Sequence, residues 1–195
     1  SMEVGTKLSL KNIATLMIIV SDNIATNMLI DFLGVEAIND CIGRLGCRDT
    51  VLHNRIDFEA YSRLGTSTPA DYASVWERMA QGTLIDRACS EQMLAICRQQ
   101  HYNSMLTKNL PPYYLDPDNY EEEIIYVASK SGSMDACRND GGIVSTPYGS
   151  YVIVMFNKDF GDNQYYAEHP ATVFGSRVSR LIFDQYLALE GRLVL

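Results

Sequence analysis

An α+β fold is predicted by three observations. Helical periodicity dominates the first hundred or so residues, β-branched and aromatic runs broken by turn residues follow, and one amphipathic helix closes the chain. The 195 residues are 47% apolar and 21% charged, an ordinary globular composition. A chain of this length buries roughly 70% of its unfolded surface and needs no metal or disulfide staple. The net charge of −8 leaves no basic stripe for phosphates, which excludes nucleic acid as a partner and argues against an anionic membrane surface. The longest apolar stretch, residues 13–20, is far too short to cross a bilayer.

The elements follow in order. Residues 8–33 read as two helical segments: Leu10, Ile13, Ala14, Met17 and Ile18 share one face, and Ile24, Met28, Leu29 and Phe32 repeat the pattern after Ser21-Asp22. Gly34 stops the second segment, and residues 35–45 form a third helix with Ile38, Cys41, Ile42 and Leu45 on one face. Residues 47–67 lack periodicity, and a structureless loop of that length inside a compact domain is usually functional. Thr68-Pro69 is an N-cap followed by proline at the first helical position, and a further helix covers 90–100. Three prolines and five acidic residues make 109–123 a solvated connector. Residues 124–128, 142–145 and 151–156 read as strands of an antiparallel meander, and 173–189 as the closing helix. The organisation expected is a helical lobe over 1–108, the connector 109–123, and a sheet lobe with its helix over 124–195.

Familiar catalytic patterns are missing. There is no G-x-S-x-G elbow, no phosphate loop and no H-E-x-x-H, and His53, His101 and His169 are too scattered for a metal site; no cofactor is expected. Cys41, Cys47, Cys89, Cys97 and Cys137 are odd in number and irregular in spacing, which favours a reducing compartment. Cys41, Cys89 and Cys97 are expected on apolar helix faces, as is Trp76 in the core. Two triplets remain: Ser21-Asp22-Asn23 at a break between helices and Lys130-Ser131-Gly132 at a strand end. Taken singly, the first is a set of N-cap residues and the second a strand turning through glycine. Together, S-D-N and a K-[ST]-G triplet are two of three signatures of class A β-lactamases and penicillin-binding proteins.

With their flanks these segments resemble the class A serine β-lactamase family of penicillin-recognising hydrolases. The similarity runs through 16–29, through 66–73 at the helix start after an omega-shaped loop, and through 128–133 and 138–144 on the sheet. The resemblance implies a β-lactamase-like fold and roles for matched residues. Lys130 would be the site's cation and Ser131 would bond the substrate carboxylate. Gly132, without a Cβ, allows close approach, while Ser133 offers its N–H to the oxyanion. Ser21 would pass a proton to the leaving nitrogen, Asn23 would hold the substrate's amide, and Arg138 is a candidate second cation. The carboxylate that activates the deacylating water is expected in 55–59: spacing from Ser21 favours Asp57, residue type favours Glu59.

The first signature is absent, since no serine here is followed three residues later by lysine. The resemblance therefore implies that the nucleophile, and the N-terminal strands that complete the family's sheet, lie outside these residues, truncated or on a companion chain. Family members are usually exported, against the lean of the cysteines. Two functions are open: a hydrolase that opens a β-lactam amide through an acyl-enzyme, or a non-catalytic penicillin- or peptide-binding relative.

Overall fold

Side-chain caps start the first two helices of the protein, whose computed structural model describes residues 5–57, 64–112, 115 and 125–188. Helix α1 (Leu10–Ile19) begins where the Ser9 hydroxyl accepts the Asn12 N–H at 3.2 Å. Helix α2 (Asn23–Leu33) begins where Asp22 accepts the Ala25 N–H at 2.7 Å. Gly34, at φ 83°, ends α2 and lets α3 (Val35–Arg44) start at once.

The long loop is closed at its base, a feature its sequence does not show. Strands β1 (Val51–Leu52) and β2 (Gly65–Thr66) pair antiparallel, Val51 opposite Thr66. Gly65 is required there, because a Cβ would stand 2.8 Å from the Val51 carbonyl oxygen. Two asparagines tie the loop to the helices. Asn39 exchanges two hydrogen bonds of 2.8 Å with the backbone of Leu52, and Asn27 does the same with Ile56 at 2.8 and 2.9 Å.

Helix α4 (Pro69–Ala80) is capped by Thr68, which accepts the Asp71 N–H at 3.2 Å. Helix α5 (Arg87–Cys97) starts and ends three residues earlier than its periodicity suggests, because Asp86 captures the Cys89 N–H at 2.7 Å. The connector lies mostly outside the described residues.

Strands β3 (Tyr126–Ser129) and β4 (Gly132–Met134) run end to end along one edge of β5 (Cys137–Thr146), and β6 (Gly149–Lys158) pairs with the other edge, all antiparallel. Successive residues of β5 face opposite sides. Ile143 joins Trp76, Met79, Leu84, Cys97 and Ala128 under α4 and α5, whereas Val144 joins Leu106, Val127 and Phe183 on the side of α6 (Pro170–Ala188). Trp76 is thus a core residue, worth on the order of 3 kcal/mol in burial alone. Cys97 is buried as expected, but Cys41 is exposed, since α3 buries none of its residues. The fold is α+β, as predicted.

Candidate functional site

Ser21, Asp22 and Asn23 divide their work at the break between α1 and α2. Asp22 is the cap, and Asn23 is exposed in the first turn of α2. Ser21 adopts φ 51°, left-handed backbone that a non-glycine residue rarely takes, and the Asp22 N–H reaches back to the Leu16 carbonyl at 3.2 Å. Left-handed backbone costs an L-residue about 1 kcal/mol or more relative to glycine. Ser21→Gly is expected to leave the fold as stable or up to about 1 kcal/mol more stable in urea denaturation. A clear loss of stability would show instead that the hydroxyl serves the fold.

Lys130 and Ser131 occupy the gap between β3 and β4. The Lys130 N–H donates to the Gly141 carbonyl at 3.0 Å, and its ammonium donates to the Ser21 hydroxyl and to the Ser131 carbonyl. Two triplets far apart in sequence thus meet in one hydrogen bond. Burial lowers the lysine's pKa from its ordinary value, and the charge of Asp140 opposes that shift.

Asp140, on β5, is 2% exposed. Its carboxylate accepts the Leu106 N–H at 3.1 Å and the Gly141 N–H at 2.9 Å. Burial outweighs these donors and Lys130, and pushes its pKa up from 3.8 to about 6. The folded state therefore binds the proton more tightly than the unfolded chain. This group's contribution to stability is fully present below about pH 3.8 and is lost as pH rises through about 6. The stability of wild type relative to Asp140→Asn should accordingly fall by up to about 3 kcal/mol between pH 3.5 and 7.5 in urea titrations. A pH-independent difference would mean that Asp140 titrates normally.

Ser131 is half-buried, and Gly132 and Ser133 are exposed on β4. Apart from its chain neighbours, no described residue places an atom within 4 Å of a Cβ built on Gly132, so the space beside it is open among the described residues. Arg138 sits elsewhere than a free cation would. It is 5% exposed and donates to the carbonyls of Met134, Cys137 and Gln164, the last two at 2.8 and 2.9 Å. Its guanidinium carbon lies 4.3 Å from the centroid of the Tyr165 ring. The contacts tie the β4–β5 turn to the segment before α6.

Asp57 is exposed and borders a cavity of about 470 Å³ beneath the long loop, lined also by Ile24, Met28 and Ile56. Glu59 lies outside the described residues. Sequence reasoning missed Asn27, whose carboxamide brackets Ile56. Its only local signal was a polar residue on an otherwise apolar helix face. No cluster of three or more metal-ligating side chains occurs among the described residues, and none of their helices is long and apolar enough to cross a membrane.

Comparison with known proteins shows the family and the fold. The profile of the β-lactamase enzyme family matches residues 1–186. No curated protein matches. Among solved structures, the β-lactamase from Sphaerobacter thermophilus DSM 20745 superposes with a TM-score of 0.80 at 28% identity, over 95% of this chain and 66% of that one. PBP-A superposes with a TM-score of 0.77 at 26% identity, over 96% of this chain and 65% of that one. A PBP-A mutant, solved as an acyl-enzyme complex with penicillin G, gives 0.75 at 27% identity over the same shares. The chain spans just under two thirds of the length of these neighbours. With its profile matched almost end to end and its two signature triplets joined through Lys130 and Ser21, the chain belongs to the β-lactamase enzyme family.

Proposed function

We propose that the chain forms part of a serine β-lactamase-type hydrolase, and the hydrogen bond from the Lys130 ammonium to the Ser21 hydroxyl carries this reading. An oxygen that accepts from a cation keeps its own proton free to donate. Ser21 is thus suited to protonate the nitrogen that leaves when a β-lactam amide opens. Lys130 and Ser131 bind the substrate carboxylate, and the open space at Gly132 admits the ring beside β4. The Ser133 N–H serves the oxyanion, and Asn23, exposed at the start of α2, holds the side-chain amide. Arg138, which gives three of its five N–H donors to backbone carbonyls, holds the turn beside this strand.

The acylated serine and its lysine come from a segment or companion chain outside these 195 residues, since no S-x-x-K occurs among them. The second edge of β6 supports this reading: among the described residues it pairs with no strand.

One observation favours the binding alternative. The loop residue that Asn27 clamps is Ile56, which has no carboxylate, so deacylation would fall to Asp57 or Glu59. If neither reaches the water, the ester persists and the protein holds penicillin instead of hydrolysing it. Denaturing mass spectrometry of the natural assembly, before and after penicillin, decides. A polypeptide that gains and then loses the drug establishes the hydrolase, a lasting adduct the penicillin binder, and no adduct a relative without acylation.

A further inference from the structure

Because Lys130 lies where the ladder passes from β3 to β4, strand pairing alone does not fix its peptide. Its N–H is held by the Gly141 carbonyl, and its own carbonyl accepts the Tyr72 hydroxyl at 2.9 Å. Tyr72 belongs to α4, on the opposite side of the long loop from Ser21 in sequence. The tyrosine ring is firmly seated. It meets Trp76 edge-on at 5.9 Å between centroids and Phe156 at 5.7 Å. It also lies against Gly141, where a Cβ would stand 2.6 Å from Cε1 and 3.0 Å from Cδ1. Gly141 therefore serves Lys130 twice, as acceptor for its N–H and as the bare backbone on which Tyr72 rests.

We propose that Tyr72 is a positioning residue of the site: its hydroxyl, donated to the Lys130 carbonyl, holds the lysine in the strand gap with its ammonium on Ser21. Tyr72 acts only through Lys130. Burial raises the phenol's pKa well above the ordinary range, so it stays a neutral donor wherever the protein is folded. The titratable groups that act on both Tyr72 and Lys130 are Asp140 and Cys97, and neither bonds the Lys130 carbonyl. The inference rests on reading the Ser21–Lys130 pair as acyl-transfer machinery, and its test separates the two.

The full chain contains five lysines, so its ε-carbon-labelled lysine NMR spectrum is simple, with Lys130 assigned by Lys130→Arg. Tyr72→Phe keeps the ring and removes one oxygen. With its backbone anchor gone, Lys130 is expected to swing toward solvent, and its titration midpoint to rise by roughly 0.5 or more as the cost of burial is relieved. Gly141→Ala, which unseats the ring while keeping the hydroxyl, should produce a rise of the same sign. A Lys130 midpoint unchanged in folded Tyr72→Phe would overturn the proposal, because a tyrosine that only fills space would not move it. Benzylpenicillin is then added to the acylation-competent assembly containing the wild-type chain. A Lys130 signal indifferent to penicillin beside a shifted midpoint in Tyr72→Phe counts against the substrate reading and leaves the positioning role standing.

Discussion

Lys130→Ala is expected to slow penicillin capture by the acylation-competent assembly by roughly 10²–10³-fold, the range found when one preorganised electrostatic group is removed from an acyl-transfer site. Two functions go at once. In the proposed site the substrate carboxylate would lose its cation, and Ser21 would lose the ammonium that donates to its hydroxyl. The fold should tolerate the change. Burial disfavours the lysine's charged form, so removing the side chain relieves a desolvation cost that offsets its lost hydrogen bonds, and stability should stay within about 1 kcal/mol of wild type. Gel fluorescence with a labelled penicillin measures the first effect and urea denaturation the second. Undiminished capture would sink the assignment of Lys130.

Gly142→Ala should produce the largest loss of stability, about 3 kcal/mol or more. A Cβ there would lie 2.2 Å from the Ala128 carbonyl oxygen and 2.8 Å from the Ser129 Cα, both backbone atoms of β3 that no rotamer change can move. Alanine restricts the unfolded chain and so favours folding by about 0.4–1 kcal/mol, which is too little to offset parting β3 from the central strand β5. Because Ser129 precedes Lys130, the displaced strand should carry the lysine with it and lower penicillin capture as well. Gly132→Ala provides the contrast. Among the described residues, apart from its chain neighbours, nothing stands within 4 Å of its new Cβ, so stability should change by less than about 0.5 kcal/mol, while the methyl projects into space proposed for the ligand and should weaken penicillin binding. Equal stabilities for the two variants in urea would refute this distinction.

Much of the helical part was legible because its signals are local. Asp22, Gly34 and Thr68 act on backbone groups within a few residues, so α2, α3 and α4 begin where composition and spacing place them. Strand β5 is longer than its apolar run and takes in the polar Arg138-Asn139-Asp140, which the family resemblance, not composition, places on the sheet. It extends because those side chains find distant partners, Gln164 for Arg138, Asn157 for Asn139 and Leu106 for Asp140. Strand β4 has no apolar alternation and exists only by pairing with β5. The base of the long loop is likewise closed by Asn39 and a two-residue ladder that no periodicity announces.

The sequence by itself determined the α+β class, the helix boundaries at Asp22, Gly34 and Thr68, and, through two triplets with their flanks, the family. Tertiary structure alone decided that the Lys130 ammonium reaches Ser21, that Arg138 is committed to backbone carbonyls, that Asn27 clamps Ile56, and that Tyr72 holds the lysine's peptide. Capping and periodicity act over one helical turn or one strand, where residue order is also spatial order. A side chain's partner across tens of residues depends on strand register and helix packing, which no local pattern encodes.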